Sequence, residues 1–127
     1  MADYNTRKKS IFCDIDGTIL KHHGTTHGVI TKKPKLLDGI VERFNHWDER
    51  GYTVVIVTGR RESLREITEN QLREFGLFWD YLIMGTGPGD RLLVGDNTPD
   101  GDTTNFAISL ERDSGFTSQE DFEKIGF

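Results

Sequence analysis

Asp14 and Asp16 stand two residues apart where the apolar run Ser10-Ile11-Phe12-Cys13 ends. Alternate side chains of extended backbone share a face, so both carboxylates point the same way. Two close carboxylates repel, and one keeps its proton unless a cation is present. Such a pair suits a nucleophile beside a general acid/base. Thr58-Gly59-Arg60 ends a second apolar run, and Asp96 follows a third. The Thr58 hydroxyl and the backbone N–H groups around Gly17 and Gly59 are placed to hold phosphate oxygens. With Asp96 added, the carboxylates form a hard, all-oxygen cation site. Magnesium takes such sites, keeping several waters and bridging to a substrate phosphate.

These residues meet only if the elements before them are parallel strands. Tyr52-Thr53-Val54-Val55-Ile56-Val57 is the strongest strand pattern, apolar on both faces as in a sheet covered by helices. Tyr81–Met84, Arg91–Val94 and Asn105–Leu110 read as further strands. Leu36, Leu37, Ile40, Val41, Phe44 and Trp47 recur at helical spacing after Pro34, and Gly51 closes that helix. Leu64, Ile67, Leu72 and Phe75 mark a second helix that Gly76 stops. Thr117 or Ser118 caps a short last one. The polar flap between Lys21 and Lys35, with Thr25, Thr26, Val29, Ile30 and Thr31, predicts a small hairpin. The order predicts an α/β fold, a three-layer Rossmann-like, mostly parallel sheet with helices on both faces. Ligands of such sheets bind beyond the carboxyl ends of the strands.

The run Phe12-Cys13-Asp14-Ile15-Asp16-Gly17-Thr18 resembles the first motif of the haloacid dehalogenase-like superfamily, mostly magnesium-dependent phosphatases. Val57-Thr58-Gly59-Arg60 is similar to its second motif, and Val94-Gly95-Asp96-Asn97-Thr98-Pro99-Asp100 to its fourth. The resemblance implies that Asp14 attacks phosphorus and that Asp16 protonates the leaving oxygen, then activates water. It implies that Thr58 binds the phosphoryl group, with Gly59 and Arg60 beside it. Asp14, the Asp16 carbonyl and Asp96 would ligate magnesium, with Asp100 a further acid. The superfamily's third motif is usually a lysine, and none lies between Asp80 and Asp96. Arg91 is the basic residue there, and Arg60 is a second candidate to replace the lysine. That departure keeps open a catalytically weak phosphate- or metal-binding module as an alternative. The flap and the segment from Arg60 to Asp80 are both too short for a cap domain, so the pocket should be open.

The 127 residues fit a single domain, 1–127, and carry a net charge of −5. Residues 1–35 hold seven basic and three acidic side chains, and residues 36–127 hold nine and eighteen. This balance argues against a general nucleic-acid binder, leaving nucleic acid only as a phosphorylated end. No apolar run approaches the roughly 18 residues that span a bilayer. The stretch from Met1 to Ser10 lacks the apolar core of a secretory signal. The single cysteine, Cys13, points to a reducing, cytoplasmic setting. The expected substrate is a phosphorylated small molecule, whether a sugar phosphate or a nucleotide. Trp79 and Phe127 are candidates for an interface between copies.

Other residues invite chemistry and are better read as structure. His22, His23 and His27 are flap residues, lacking the well-spaced set of four ligands that zinc needs. Cys13 should face opposite to Asp14, into the core. Trp47, Phe78 and Trp79 suit packing. Gly85-Thr86-Gly87-Pro88-Gly89 lacks the ending of a nucleotide-binding loop and reads as a flexible substrate-side loop. Lys21, Lys32 and Lys33 would draw an anionic substrate.

Overall fold

Three short parallel strands carry the site. In this computed structural model, which describes residues 7–127, they are β1 (Ser10–Cys13), β2 (Thr53–Val57) and β3 (Tyr81–Ile83). They hydrogen-bond in the order β1-β2-β3, with Cys13 opposite Ile56 and Ile56 opposite Leu82. Helix α2 (Ile40–Glu49) connects β1 to β2. A 3-10 turn (Glu62–Leu64) and helix α3 (Arg65–Glu74) connect β2 to β3. The α/β class and the parallel open sheet agree with the sequence pattern. The N-terminal residues up to Thr6, read above for a secretory signal, lie outside the described residues.

One sheet face is buried and the other is largely open. Cys13, Val54, Ile56 and Leu82 pack in one cluster with Ile40, Phe44 and Trp47 of α2 and Leu72 of α3. On the other face Val55 is buried, while Phe12 is 57% exposed and Tyr81 62%. The helix layer expected over that face does not form among the described residues. The two further strands expected at residues 91–94 and 105–110 carry no ladder either, and Leu92 is 87% exposed. A four-residue apolar run becomes a strand only where a neighbour accepts its hydrogen bonds, so its strand propensity alone decides little.

The flap forms helix α1 (Thr26–Thr31) where a hairpin was expected. Its β-branched residues suggested strands, but the Thr25 hydroxyl accepts the Gly28 N–H at 3.0 Å and caps a helical turn. Helix α2 starts at Ile40, later than Pro34 suggested, because Leu36 and Leu37 bond back to the first loop. Leu36 forms an antiparallel bridge with Leu20, and the Leu37 N–H donates to the Ile19 carbonyl at 2.9 Å. Gly39 then makes the turn into the helix at φ 75°. A Cβ there would lie 2.3 Å from the Phe116 carbonyl oxygen, so the position demands glycine on two counts.

The chain's end closes the core. Helix α4 (Glu120–Glu123) sets Phe122 against Trp47, ring centres 5.8 Å apart, and Phe116 meets Trp47 edge-on and Phe122 at a tilt. Gln119 takes the cap position expected of Thr117 or Ser118, and its amide nitrogen donates to the carbonyls of Phe116 and Gly39. Buried Arg43 ties α2 to this segment through the Gln119 side chain at 2.6 Å and the Phe127 carbonyl at 2.9 Å. No helix among the described residues is long and apolar enough to cross a membrane.

Candidate active site

The strand ends open onto a cavity of about 390 Å³. Asp14 and Asp16 enter from β1, and Thr58, Gly59, Arg60 and Arg61 from β2. Pro88 and Arg91 come from the chain after β3, and His22, Thr25 and Val29 from the flap. Arg112 arrives from the C-terminal segment. A hollow of similar size, about 410 Å³, lies on the outer side of α2 between Glu42, Arg43, His46, Glu49 and Glu123. It holds no strand-end carboxylate pair, so the chemistry belongs to the first.

Asp14 is partly buried, and that burial pushes its carboxyl above the ordinary aspartate value. The Ile15 N–H and the Arg91 guanidinium act against the shift. Arg91 Nη1 lies 3.5 Å from Asp14 Oδ1, the place where the superfamily's lysine would be looked for. Arg91 therefore reaches the first carboxylate and Arg60 the second.

Arg60 holds Asp16 by both oxygens, Nε to Oδ2 at 2.9 Å and Nη2 to Oδ1 at 2.8 Å. A planar fork fits a carboxylate in this way, fixing its plane as well as its position. The guanidinium is itself buried, 4% exposed, and Nη1 donates to the Thr68 hydroxyl and the Gln71 amide oxygen of α3. Gln71 in turn donates to the Val29 carbonyl, linking the clamp to the flap.

Thr58 is buried, and its Oγ1 accepts the Arg60 N–H at 3.1 Å. The Thr58 N–H donates to the Ile83 carbonyl and the Thr58 carbonyl accepts from the Thr86 N–H, sewing this turn to the end of β3. Gly59 is close to the Thr86 carbonyl, 3.2 Å from where a Cβ would stand. Backbone bonds on both sides thus fix Thr58 at the cavity wall.

Asp96 and Asp100 are not brought to this wall. They sit in an exposed loop with its own bonds, where the Thr104 hydroxyl donates to the Asp96 carbonyl at 2.6 Å. Among the described residues no three acidic, histidine or cysteine side chains converge as a metal site. The acidic donors at the cavity are Asp14 and an Asp16 already engaged by Arg60. That set is incomplete for a hard cation.

Arg112 was missed from sequence because it lies 95 residues beyond Gly17, outside any apolar pattern. Its side chain nevertheless lies against Gly17, 3.2 Å from the Cβ position. Gly17 has φ 86°, a left-handed turn that a side chain would strain. Arg61 was missed for a simpler reason, since one arginine of an Arg-Arg pair looks like the other. Cys13 is buried as expected, and its thiol is pushed up to about 12 by burial first and the Asp14 charge second. His22 does line the cavity.

The family model of the PITM 1-3, LNS2 domain matches residues 11–91, spanning both strand-end motifs and ending on Arg91. The chain belongs to the LNS2-domain family. At that level the haloacid dehalogenase-like phosphatase assignment stands, and phosphatases of that superfamily generally use magnesium. The fold also resembles a chain of the Pnkp1/Rnl/Hen1 complex, with 23% identity and TM-score 0.52 over 71% of this chain. A second structure, of the Pnkp1/Rnl/Hen1 RNA repair complex, gives 23% identity, TM-score 0.52 and 70% coverage. This LNS2-family chain spans about a third of their length, 32% and 29%. A structural-genomics target from Vibrio cholerae matches over 92% of this chain and 95% of its own, with 15% identity and TM-score 0.52. No curated protein matches the chain.

Proposed function

We propose that the chain hydrolyses phosphomonoesters through an aspartyl-phosphate at Asp14. The observation that carries this reading is the convergence of Asp14, Asp16 and Thr58 on one cavity wall. An Asp14 oxygen attacks phosphorus, and the bond to the leaving oxygen breaks as that oxygen takes a proton from solvent at the open cavity mouth. Water then attacks phosphorus, Asp16 takes the water's proton, and the bond to Asp14 breaks to release inorganic phosphate. Charge gathers on the phosphoryl oxygens in both steps, and preorganised donors offset it most strongly in such a cleft. Thr58, Gly59 and Arg91 are those donors.

Phosphatases of the superfamily generally use magnesium, so the assay contains it, although the two acids of this wall do not complete a magnesium site. The substrate is a sugar phosphate, a nucleotide or a phosphorylated polynucleotide end; the RNA-repair complexes that share the fold favour testing the last. Acid quenching during turnover of an aryl phosphate with magnesium tests the reading. A phosphoryl mass increment on the peptide bearing Asp14, absent from Asp14→Asn, is the expected result. Turnover without any such adduct, equal in the Asn variant, would overturn it. A second reading, phosphate binding without turnover, is favoured by the distance of Asp96 from the cavity wall. It is told apart by thermal stabilisation with inorganic phosphate and no product from the same substrate panel.

A further inference from the structure

The cavity is lined by two more guanidiniums than carboxylates. Four guanidiniums line it, those of Arg60, Arg61, Arg91 and Arg112. Arg60 is committed to Asp16 and Arg91 is paired with Asp14. Among the described residues Arg61 and Arg112 have no carboxylate partner. Two uncompensated cations thus face the same space as the nucleophile.

Arg112 is held there by built structure. The Asp113 N–H donates to the Gly17 carbonyl at 2.9 Å, and the Asp113 carboxylate accepts the His22 N–H at 2.8 Å. Asp113 is the non-glycine residue with positive φ among the described residues, at 65°. A backbone kept in that region, bonded to Gly17 of the nucleophile loop and to His22 of the flap, fixes Arg112 over Gly17. The neighbouring Asp113 carboxylate is spent on the His22 N–H and leaves the guanidinium for a ligand. A guanidinium fork matches a phosphate oxygen pair.

We propose that Arg61 and Arg112 form a second anion subsite, so that the substrate is a phosphomonoester whose leaving group bears a second phosphate. This rests on the phosphatase reading above and names its substrate class. The second phosphate could be a free monoester, as in a bisphosphorylated sugar, or the last phosphodiester of a polynucleotide end. The open mouth of the pocket admits either.

Two substrate pairs separate the sources. One is fructose 1,6-bisphosphate against fructose 1-phosphate, and the other is a 3′-phosphorylated dinucleotide against a nucleoside 3′-monophosphate. In the intact chain kcat/KM should favour the doubly charged member of at least one pair by about tenfold or more. In the Arg61→Ala, Arg112→Ala double variant that ratio should fall to about one, with circular dichroism and melting confirming the fold. The pair that shows the loss names the source. A ratio near one in the intact chain for both pairs, or a ratio the double variant keeps, overturns the subsite. Binding of the same four compounds to Asp14→Asn is read by calorimetry. If nothing turns over, the phosphatase reading fails, and the subsite then stands or falls on the same ratio measured as affinity.

Discussion

Arg60 and Asp16 face each other as a two-point ion pair, with bonds of 2.9 and 2.8 Å, inside a network that ends on α3. In the proposed mechanism Asp16 must meet the attacking water at a fixed angle, and this pair would hold it there. Arg60→Lys keeps the charge and loses the fork, so kcat should fall by about 10- to 100-fold with little change in melting. Arg60→Ala should also destabilise the fold by about 3 kcal/mol, because Asp16 loses its partner while largely buried. Urea unfolding and steady-state rates check both, and a Lys variant with full kcat would show that the fork is only structural.

Asp14 gives the chain a pH signature. Its carboxyl titrates above the ordinary aspartate value because burial disfavours the charge. The folded chain therefore holds this proton more tightly than the unfolded chain. Below the ordinary value both states are protonated and no cost arises; above the raised value the full cost of the buried charge is present. Stability from this group thus falls as pH rises between the two. Asp14→Asn should melt higher than the intact chain near about pH 7 and equal to it near about pH 3. An Asn variant no more stable than the intact chain at neutral pH would contradict that.

The strands and the strand-end motifs were legible because each combines a local pattern with a chemical one. Val54-Val55-Ile56 is apolar whichever face it turns, and Thr58-Gly59 must stop it. The flap was harder, since Val29 and Ile30 favour strands until the Thr25 cap is seen to hold a helical turn. Residues 91–94 and 105–110 look like strands by composition, yet a strand also needs a partner edge, which composition does not encode. Asp96 was assigned by motif and lies apart. Arg112 carried no signal, since its role depends on a left-handed Asp113 and on bonds to residues more than ninety positions earlier.

Gly39 should tolerate no side chain. Gly39→Ala forces a left-handed φ on alanine, a cost of about 1–2 kcal/mol, and presses a methyl onto the Phe116 carbonyl. A loss above about 2 kcal/mol in urea unfolding is expected, measured beside Gly76→Ala. At Gly76 φ is also positive but no atom lies within 4 Å of the Cβ position, so the cost there should be the smaller. Equal losses at the two sites would refute the contact.

Cys13 should be silent in the folded chain. With its thiol pushed up to about 12, the reactive thiolate is rare at mildly alkaline pH. Iodoacetamide labelling at about pH 8 should run roughly a thousandfold slower in the native chain than in urea. Comparable rates would place Cys13 outside the core.

The account turns on Asp14 as the nucleophile, and one comparison tests that most directly. Phosphate release from an aryl phosphate with magnesium is measured for the intact chain and for Asp14→Asn. The Asn side chain keeps the shape of the pocket and lacks the attacking charge. The predicted result is turnover by the intact chain and a loss of at least about a thousandfold in the variant. Equal rates from the two proteins would contradict the assignment of this cavity as a phosphatase site.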